Sequence, residues 1–356
     1  MNTGMAKTLA LVFALALTAA ISTESPAQEG VWKIGPRTLP VPVDVSEVMR
    51  ESLLKTPAPD VEAARKFVPQ TRKQWEAWIS ERDAKAAAGA RALAKALSVA
   101  VEHKKISGVN VYRVTPAEID PQHKNNLFVH LHGGAYILNS GEAGTTEAVL
   151  IAARVKMPVL SVDYRMPPEY PAPAAINDVV TVWKHLLKDH PSASLALGGT
   201  SAGGGLTIAS VQRFKELNLD LPGALYLGTP GADVDKIGDS RYINEGIDRI
   251  LVSWDGMVYE ALSMYAGDYD HKHHYVSPVY GSFDGFPPSY LISGTRDLLL
   301  SDTVRVHRKL RAAGVDADLH VYEGQSHGDY LFVSNSPESY EHFAELNAFL
   351  LKHLKR

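Results

Sequence analysis

Residues 198–205 read "GGTSAGGG". Setting one serine among so many glycines is costly, because each glycine gives up more backbone freedom on folding than any other residue. The stretch follows the apolar burst "SLALGG" and precedes "AGGGLTIASVQRFKEL", a small-residue start to an amphipathic helix. Strand, sharp turn and helix in that order form the setting in which a serine is lifted from a sheet edge as a nucleophile. The glycines then have a use: the turn forces the serine into a sparsely allowed conformation, and only hydrogen fits where strand and helix crowd together.

The pattern alone is weak. About one chain in ten of this length carries a G-x-S-x-G match by chance, taking Gly and Ser near 7% each. This chain holds a second, Gly324 to Gly328 around Ser326. That one is followed by the bulky "DYLFV", not by a helix start, so Ser201 is the candidate nucleophile and Ser326 the decoy.

Outward from the serine, apolar bursts alternate with amphipathic helices: "VNVYRVT", "LFVHLH", "PVLSVDY", the helix "DVVTVWKHLLK", then "GALYLGTP", "PSYLISGT", the helix "SDTVRVHRKLRAAG", "ADLHVYEG" and a last helix from Glu338. Alternation at these lengths predicts an α/β fold, a mostly parallel sheet covered on both faces. Between Pro230 and Pro288 the alternation is lost, in an excursion from the sheet. From Val43 to Lys105 the sequence is rich in Ala, Lys, Arg and Glu with apolar residues at helical spacing, and predicts a helical preamble without strands.

A serine hydroxyl needs a base and a place for negative charge. "LFVHLHGGAY" ends a strand with His132, Gly133, Gly134 and Ala135, where paired glycines let backbone N–H groups point at one oxygen; the N–H of Ala202 is the second donor. Taken alone, "HGG" reads first as a tight strand exit. "PSYLISGTRDLLLSD" puts Asp297 just past a strand end, where such sheets present their chemistry, and Asp302 later, at a helix start. His327 falls in the loop after the next strand, whereas His320 lies inside it and reads as packed. Ser201, Asp297, His327 is the order of an α/β-hydrolase triad.

Through "HGGAY", "DYRMPPEYPAPAAINDV" (163–179), "GGTSAGG", "GDS" (238–240), "SPVYGSFDGFPPSYLISGTRDLLLSD" and "YEGQSHGD", residues 107–356 resemble the hormone-sensitive-lipase-like branch of the α/β-hydrolases, the bacterial esterases with a "GTSAG" serine motif. The resemblance implies a short-chain ester or lactone hydrolase with Ser201 as nucleophile, His327 as general base, Asp297 as its orienter, and Gly133, Gly134 and Ala202 as the oxyanion hole. It also implies a helical cap. The expected organisation is thus a signal segment over 1–27, a cap region over 28–105, and a catalytic domain over 106–356 whose excursion at 230–288 adds to the cap. Tyr136, Trp75, Trp78, Trp254 and Tyr259 are then candidate pocket walls, each with ordinary core packing as the alternative. Two positions depart from the family pattern: Ala135 replaces a third glycine, and Asn139 stands where glycine is common. Arg165 and Glu169 are expected to hold the proline-stiffened loop "DYRMPPEYP".

The rest of the composition excludes more than it proposes. With 356 residues, 45% apolar and 21% charged, the chain is ordinary for a globular protein. A net charge of -4 without any run of Lys or Arg gives no sign of a nucleic-acid partner or of a polybasic membrane surface. Lys7 precedes "TLALVFALALTAAI", an apolar run shorter than the roughly 20 residues a bilayer needs. With Ser25 and Ala27 before Gln28 it reads as a secretory signal, the alternative being an uncleaved anchor. No cysteine is present to be acylated, so export to a bacterial periplasm or to the medium, without stable membrane insertion after cleavage, is the expectation. The chemistry requires no metal and no cofactor. His271, His273 and His274, near Asp268 and Asp270, are ligand types zinc uses, but their loop offers no regular ligand spacing. A small ester or lactone is the expected partner, a homodimer is compatible with the sequence, and a non-catalytic ligand-binding module on the same scaffold is the reading from another class.

Overall fold

The computed structural model describes residue 35 and residues 38–355; the segment read as a signal, residues 1–27, lies outside the described residues. Among the described residues three helices come first, α1 (Glu47–Lys55), α2 (Val61–Lys66) and α3 (Arg72–Ala96). Each opens on a side-chain cap, with Ser46, Asp60 and Thr71 accepting the amides of Met49, Ala63 and Gln74. Gln74 returns the bond to Thr71, a capping box that fixes where the long α3 starts.

The expected helical run to Lys105 is corrected here. Ala100–Ile106 is a strand, β1, paired antiparallel with β2 (Val109–Thr115). Its sequence "AVEHKKI" carries no apolar alternation because β1 is an edge strand with no buried side chain, and its charges guard that edge. The remaining strands are β3 (Leu127–Leu131), β4 (Val159–Asp163), β5 (Leu195–Thr200), β6 (Ala224–Gly228), β7 (Ser289–Gly294) and β8 (Ala317–Tyr322). They complete one sheet in the order β1-β2-β4-β3-β5-β6-β7-β8, parallel from β4 to β8 along that order. This is the mostly parallel α/β sheet that the alternation predicts.

Successive side chains of a strand point to opposite faces, and the core divides accordingly. Leu195, Leu197, Leu225, Leu227 and Leu291 face one layer, built on α5 (Ala174–Leu186), α6 (Ala202–Glu216) and α9 (Leu300–Ala312), numbered with the helices introduced below. Ala196, Ala224, Tyr226, Tyr290 and Ile292 face the other, built on α4 (Thr146–Val155) and α11 (Pro337–His353). Each fully buried leucine contributes roughly 1.5–3 kcal/mol over its exposed state. Helix α4, "TEAVLIAARV", goes unforeseen because it is buried on nearly every side and so has no polar face to give a helical period.

Between β6 and β7 the chain leaves the sheet and forms the short α7 (Ser240–Ile243) and α8 (Met257–Ala266). Trp75 of α3 packs with Ala261 of α8 and with Ile137, which follows the "HGGA" stretch. The N-terminal helices and the excursion thus meet above the end of β3. A last short helix, α10 (Asp329–Phe332), follows His327. Among the described residues no helix is long and apolar enough to cross a membrane.

Candidate active site

The turn from β5 into α6 carries Ser201 at φ 63°, ψ -122°. That is a strained conformation for a residue with a side chain, and it persists only where surroundings over-determine it. Here the surroundings are backbone: a Cβ on Gly199 would stand 1.8 Å from the Leu131 carbonyl oxygen, and one on Gly203 1.9 Å from the same atom. The end of β3 is pressed into the elbow, and hydrogen is all that fits. Although Ser201 occupies the N-cap position, its side chain makes no capping bond, so the hydroxyl is not committed to its own helix. Below it, Thr200 donates its N–H (3.1 Å) and hydroxyl (2.5 Å) to the buried carboxylate of Glu147. Glu147 also meets His130 at 3.0 Å.

The loop after β3 lies against the same point. A Cβ added to Gly133 would touch Ser201 Cβ at 3.3 Å and the Thr200 carbonyl at 2.8 Å. The loop then turns through positive φ at Gly134 (114°), Ala135 (52°) and Tyr136 (60°), with the Gly134 carbonyl accepting the amides of Ile137 (3.0 Å) and Leu138 (2.9 Å). Ala202 is the first residue of α6, whose opening amides have no partner within the helix. Gly133 and Ala202 therefore flank the serine and Gly134 follows in the same loop, with glycine required at Gly134 by its torsion and at Gly133 by the contact.

Asp297 follows β7 and His327 follows β8, and both are buried. The ring of His327 donates Nδ1–H to Asp297 Oδ1 at 3.1 Å, which leaves Nε2 outside that bond. Asp297 is itself held by the Leu299 amide (2.7 Å), the Ser293 hydroxyl (3.1 Å) and the Thr229 hydroxyl. Burial disfavours an imidazolium at His327, but the charge and hydrogen bond of Asp297, reinforced by Asp248 and Asp329, outweigh it and hold the ring's pKa above the ordinary 6.5. The loops that carry Ser201 and His327 share a wall: the Thr200 hydroxyl lies 2.9 Å from that of Tyr330, three residues after His327.

Two neighbours of this cluster carry no sequence signal. Asp248, in the excursion, accepts the Leu298 amide on Oδ2 (2.9 Å), and on Oδ1 the amides of Ile250 (2.9 Å), Leu251 (3.1 Å) and His327 (3.5 Å). Burial, with the nearby charge of Asp297, holds its carboxyl well above the usual carboxylate range. Arg249 pairs with Asp329 at 2.7 Å and reaches α1 through Ser52 and Thr56. Both lie in "GIDRI", where a carboxylate and a guanidinium read as a solvated turn until tertiary contacts are known.

The other expected residues divide. Asp302 is the third residue of α9, not its cap, and its buried carboxylate binds Arg241 (2.6 Å) and the amides of Ala232 and Asp233, away from His327. His320 is taken up by Glu345 at 3.1 Å and by stacking on Tyr290. Trp75 lines a cavity of about 530 Å³ with Val68, Gln70, Glu260 and Met264, but none of Ser201, Asp297 and His327 lines it. Trp78 is half-buried beneath Arg82, and Tyr259 half-buried near His271. Two pocket-wall expectations are corrected. Trp254 is 1% exposed, a core residue stacked under the Arg241 guanidinium at 3.5 Å, where its π-face stabilises a buried cation. Tyr136, also 1% exposed, turns its ring away to stack on Tyr265 at 3.7 Å. His271 and His274 turn apart to Asp235 (2.8 Å) and Glu216 (2.7 Å), so the histidine cluster does not converge. Arg165 grips Asp178 (2.8 Å), and Glu169 instead pairs with Arg72 of α3 (2.9 Å).

A family model described as an α/β hydrolase fold matches residues 128–331. Among solved structures, the crystal structure of esterase E25 is 55% identical, covering 92% of this chain and all of its own, with a TM-score of 0.90. An esterase from the bacterial hormone-sensitive lipase family is 27% identical, covering 86% of this chain and 96% of its own, with a TM-score of 0.67. LipR of Mycobacterium tuberculosis, provisionally named an acetyl-hydrolase, is 32% identical over 253 residues, 70% of this chain and 79% of its own.

Proposed function

The chain belongs to the α/β-hydrolases, in the hormone-sensitive-lipase-like branch, and from that premise we propose that it is a serine carboxylic-ester hydrolase for small, short-chain esters. The observation that carries the reading is the buried His327–Asp297 pair, together with a serine held at φ 63° whose side chain makes no capping bond to its own helix.

In the proposed reaction the Ser201 oxygen attacks the ester carbonyl carbon while His327 Nε2 takes the hydroxyl proton. The carbonyl oxygen becomes an oxyanion, met by the amides of Gly133, Gly134 and Ala202, each donor contributing roughly 2.7–4 kcal/mol. As the carbonyl re-forms, the C–O bond to the alcohol breaks and His327 delivers its proton to the leaving oxygen. Water then attacks the acyl-Ser201 carbonyl, gives its proton to His327, and releases the carboxylic acid as Ser201 recovers a proton. Asp297 keeps the imidazole in the tautomer with hydrogen on Nδ1 and stabilises the imidazolium without taking its proton. A ligand-binding module would need none of this, and the intact base and its buried acid speak against it.

The test is hydrolysis of p-nitrophenyl acetate and butyrate by the purified protein, alongside long-chain esters and lactones. Activity on the short esters, lost by a factor on the order of 10⁴ to 10⁶ in Ser201→Ala, is expected. Full activity in that variant removes the nucleophile assignment, and a preference for lactones moves the substrate class.

A further inference from the structure

The oxyanion loop contains a device that the triad does not use. A peptide unit is planar and trans, so the N–H of Gly134 points opposite to the C=O of Gly133. Whatever holds that carbonyl aims that amide. Two side-chain donors hold it: His132 Nδ1–H at 2.9 Å and Asn139 Nδ2–H at 3.1 Å. Burial drives the His132 pKa down to about 3, so its ring is a fixed neutral donor. Asn139 reaches the carbonyl from a left-handed backbone at φ 74°, a conformation asparagine tolerates better than other residues with side chains. Its amide fits only because position 134 lacks a side chain, since a Cβ there would stand 2.9 Å from Asn139 Nδ2.

Asn139 is in turn anchored from the N-terminal helices. Asp83 of α3 accepts the Asn139 amide on Oδ1 at 2.7 Å and the Ser140 amide on Oδ2 at 3.1 Å. A line of direct bonds runs from α3 through Asp83 and Asn139 to the Gly133–Gly134 peptide. Donors on the carbonyl also polarise the peptide and strengthen its N–H as a donor.

We propose that Asn139, anchored by Asp83, is a positioning residue that aims and polarises the Gly134 amide at the developing oxyanion, coupling the seat of α3 to the reaction. This rests on the reading of Gly134 as an oxyanion donor. The device acts only when negative charge gathers on the ester oxygen, so its loss lowers kcat and kcat/KM together and leaves KM nearly alone.

The variant Asn139→Gly retains the left-handed backbone and removes only the side-chain donor. With p-nitrophenyl butyrate, kcat falls about tenfold, a fraction of what losing a whole oxyanion donor costs, and KM stays within about twofold. With the matched thionoester, whose sulfur accepts hydrogen bonds weakly, the loss is much smaller, so the rate ratio of oxygen ester to thionoester drops. Asp83→Ala moves the same ratio in the same direction, by about threefold, because it frees the anchor and leaves the amide. An unchanged kcat in Asn139→Gly, or an equal loss on both esters, overturns the proposal. If Asn139→Gly does not fold, Asn139→Asp carries the test, since it keeps the size and turns an acceptor toward the Gly133 carbonyl, giving a larger drop in the ratio. Activity surviving in Ser201→Ala breaks the reading beneath; an inactive Ser201→Ala beside an unaffected Asn139→Gly breaks only this one.

Discussion

Gly199–Gly203 and Gly324–Gly328 spell the same five-residue pattern and use it for different physical reasons. In the first, neither glycine has a positive φ; what they supply is space, because the Leu131 carbonyl fills the volume a side chain would take. The strain is placed on Ser201 itself. In the second both glycines supply torsion, at φ 70° and 67°, and Gly324 also leaves room for Pro42, while Ser326 relaxes into an ordinary buried role, its N–H on Asp329 (2.8 Å) and its oxygen accepting the Arg249 amide (3.2 Å). The second pentapeptide is nonetheless part of the site, because the residue between its serine and its last glycine is His327. In the proposed reaction one copy presents the nucleophile and the other the base, and the five-residue pattern by itself does not separate them.

The sharpest break between the two copies is at the serines. Ser201→Ala is expected to lose activity by a factor on the order of 10⁴ to 10⁶, whereas Ser326→Ala leaves one buried amide without its acceptor, costing about 1–2 kcal/mol of stability and little activity. Comparable losses of turnover in both variants, measured on folded protein, contradict the division of roles. The two aspartates near α9 repeat the contrast. Asp297→Asn is expected to lower kcat about 10⁴-fold through the wrong imidazole tautomer, while Asp302→Asn breaks a fully buried pair with Arg241 and costs roughly 3–5 kcal/mol in unfolding experiments. If Asp302→Asn is the more damaging to turnover of the folded enzyme, the choice of acid is wrong.

At the glycines the contrast is one of stability. A methyl group at Gly199 has nowhere to go, and Gly199→Ala is expected to cost more than about 4 kcal/mol or to abolish folding. At Gly328 the nearest atom to a new Cβ is a Phe332 ring carbon at 3.4 Å, so Gly328→Ala bears only the left-handed penalty of roughly 1–2 kcal/mol. Denaturant midpoints of the two variants measure the difference between space and torsion directly.

The smallest effect concerns pH. The proposed base His327 takes a proton only when neutral, and its pKa is raised, so kcat/KM is expected to climb with rising pH and to reach half its plateau above 6.5. Removing a carboxylate charge beside it lowers that pKa: the residual activity of Asp297→Asn should show its acidic limb at lower pH, and Asp248→Asn a smaller shift in the same direction. An acidic limb that stays in place in both variants contradicts the electrostatic account.

Much of the site was legible because it is local. A strand, a glycine-flanked serine and a helix are consecutive in the chain, and Asp297 and His327 each follow a recognisable apolar strand. What escaped depends on neighbours brought in from elsewhere. Strand β1 is a charged edge and α4 is buried on nearly all sides, so each lacks the amphipathic period by which its class is read. Trp254 reads as a pocket wall until Arg241, thirteen positions earlier, is seen stacked upon it. Asn139 is visible as a departure from the family pattern, but its use depends on where Gly133 and Asp83 come to lie.

The contacts of Asp248 and Arg249 bear on how this scaffold can change. A cover joined to its enzyme only at two hinges can be traded for another. Here the segment between β6 and β7 sends a carboxylate to the backbone of Leu298 and His327, beside Asp297, and a guanidinium to Asp329 in the helix just past His327. Chimeras that import this segment from a distant relative must carry both side chains with it, or they will inherit a new roof and lose the walls.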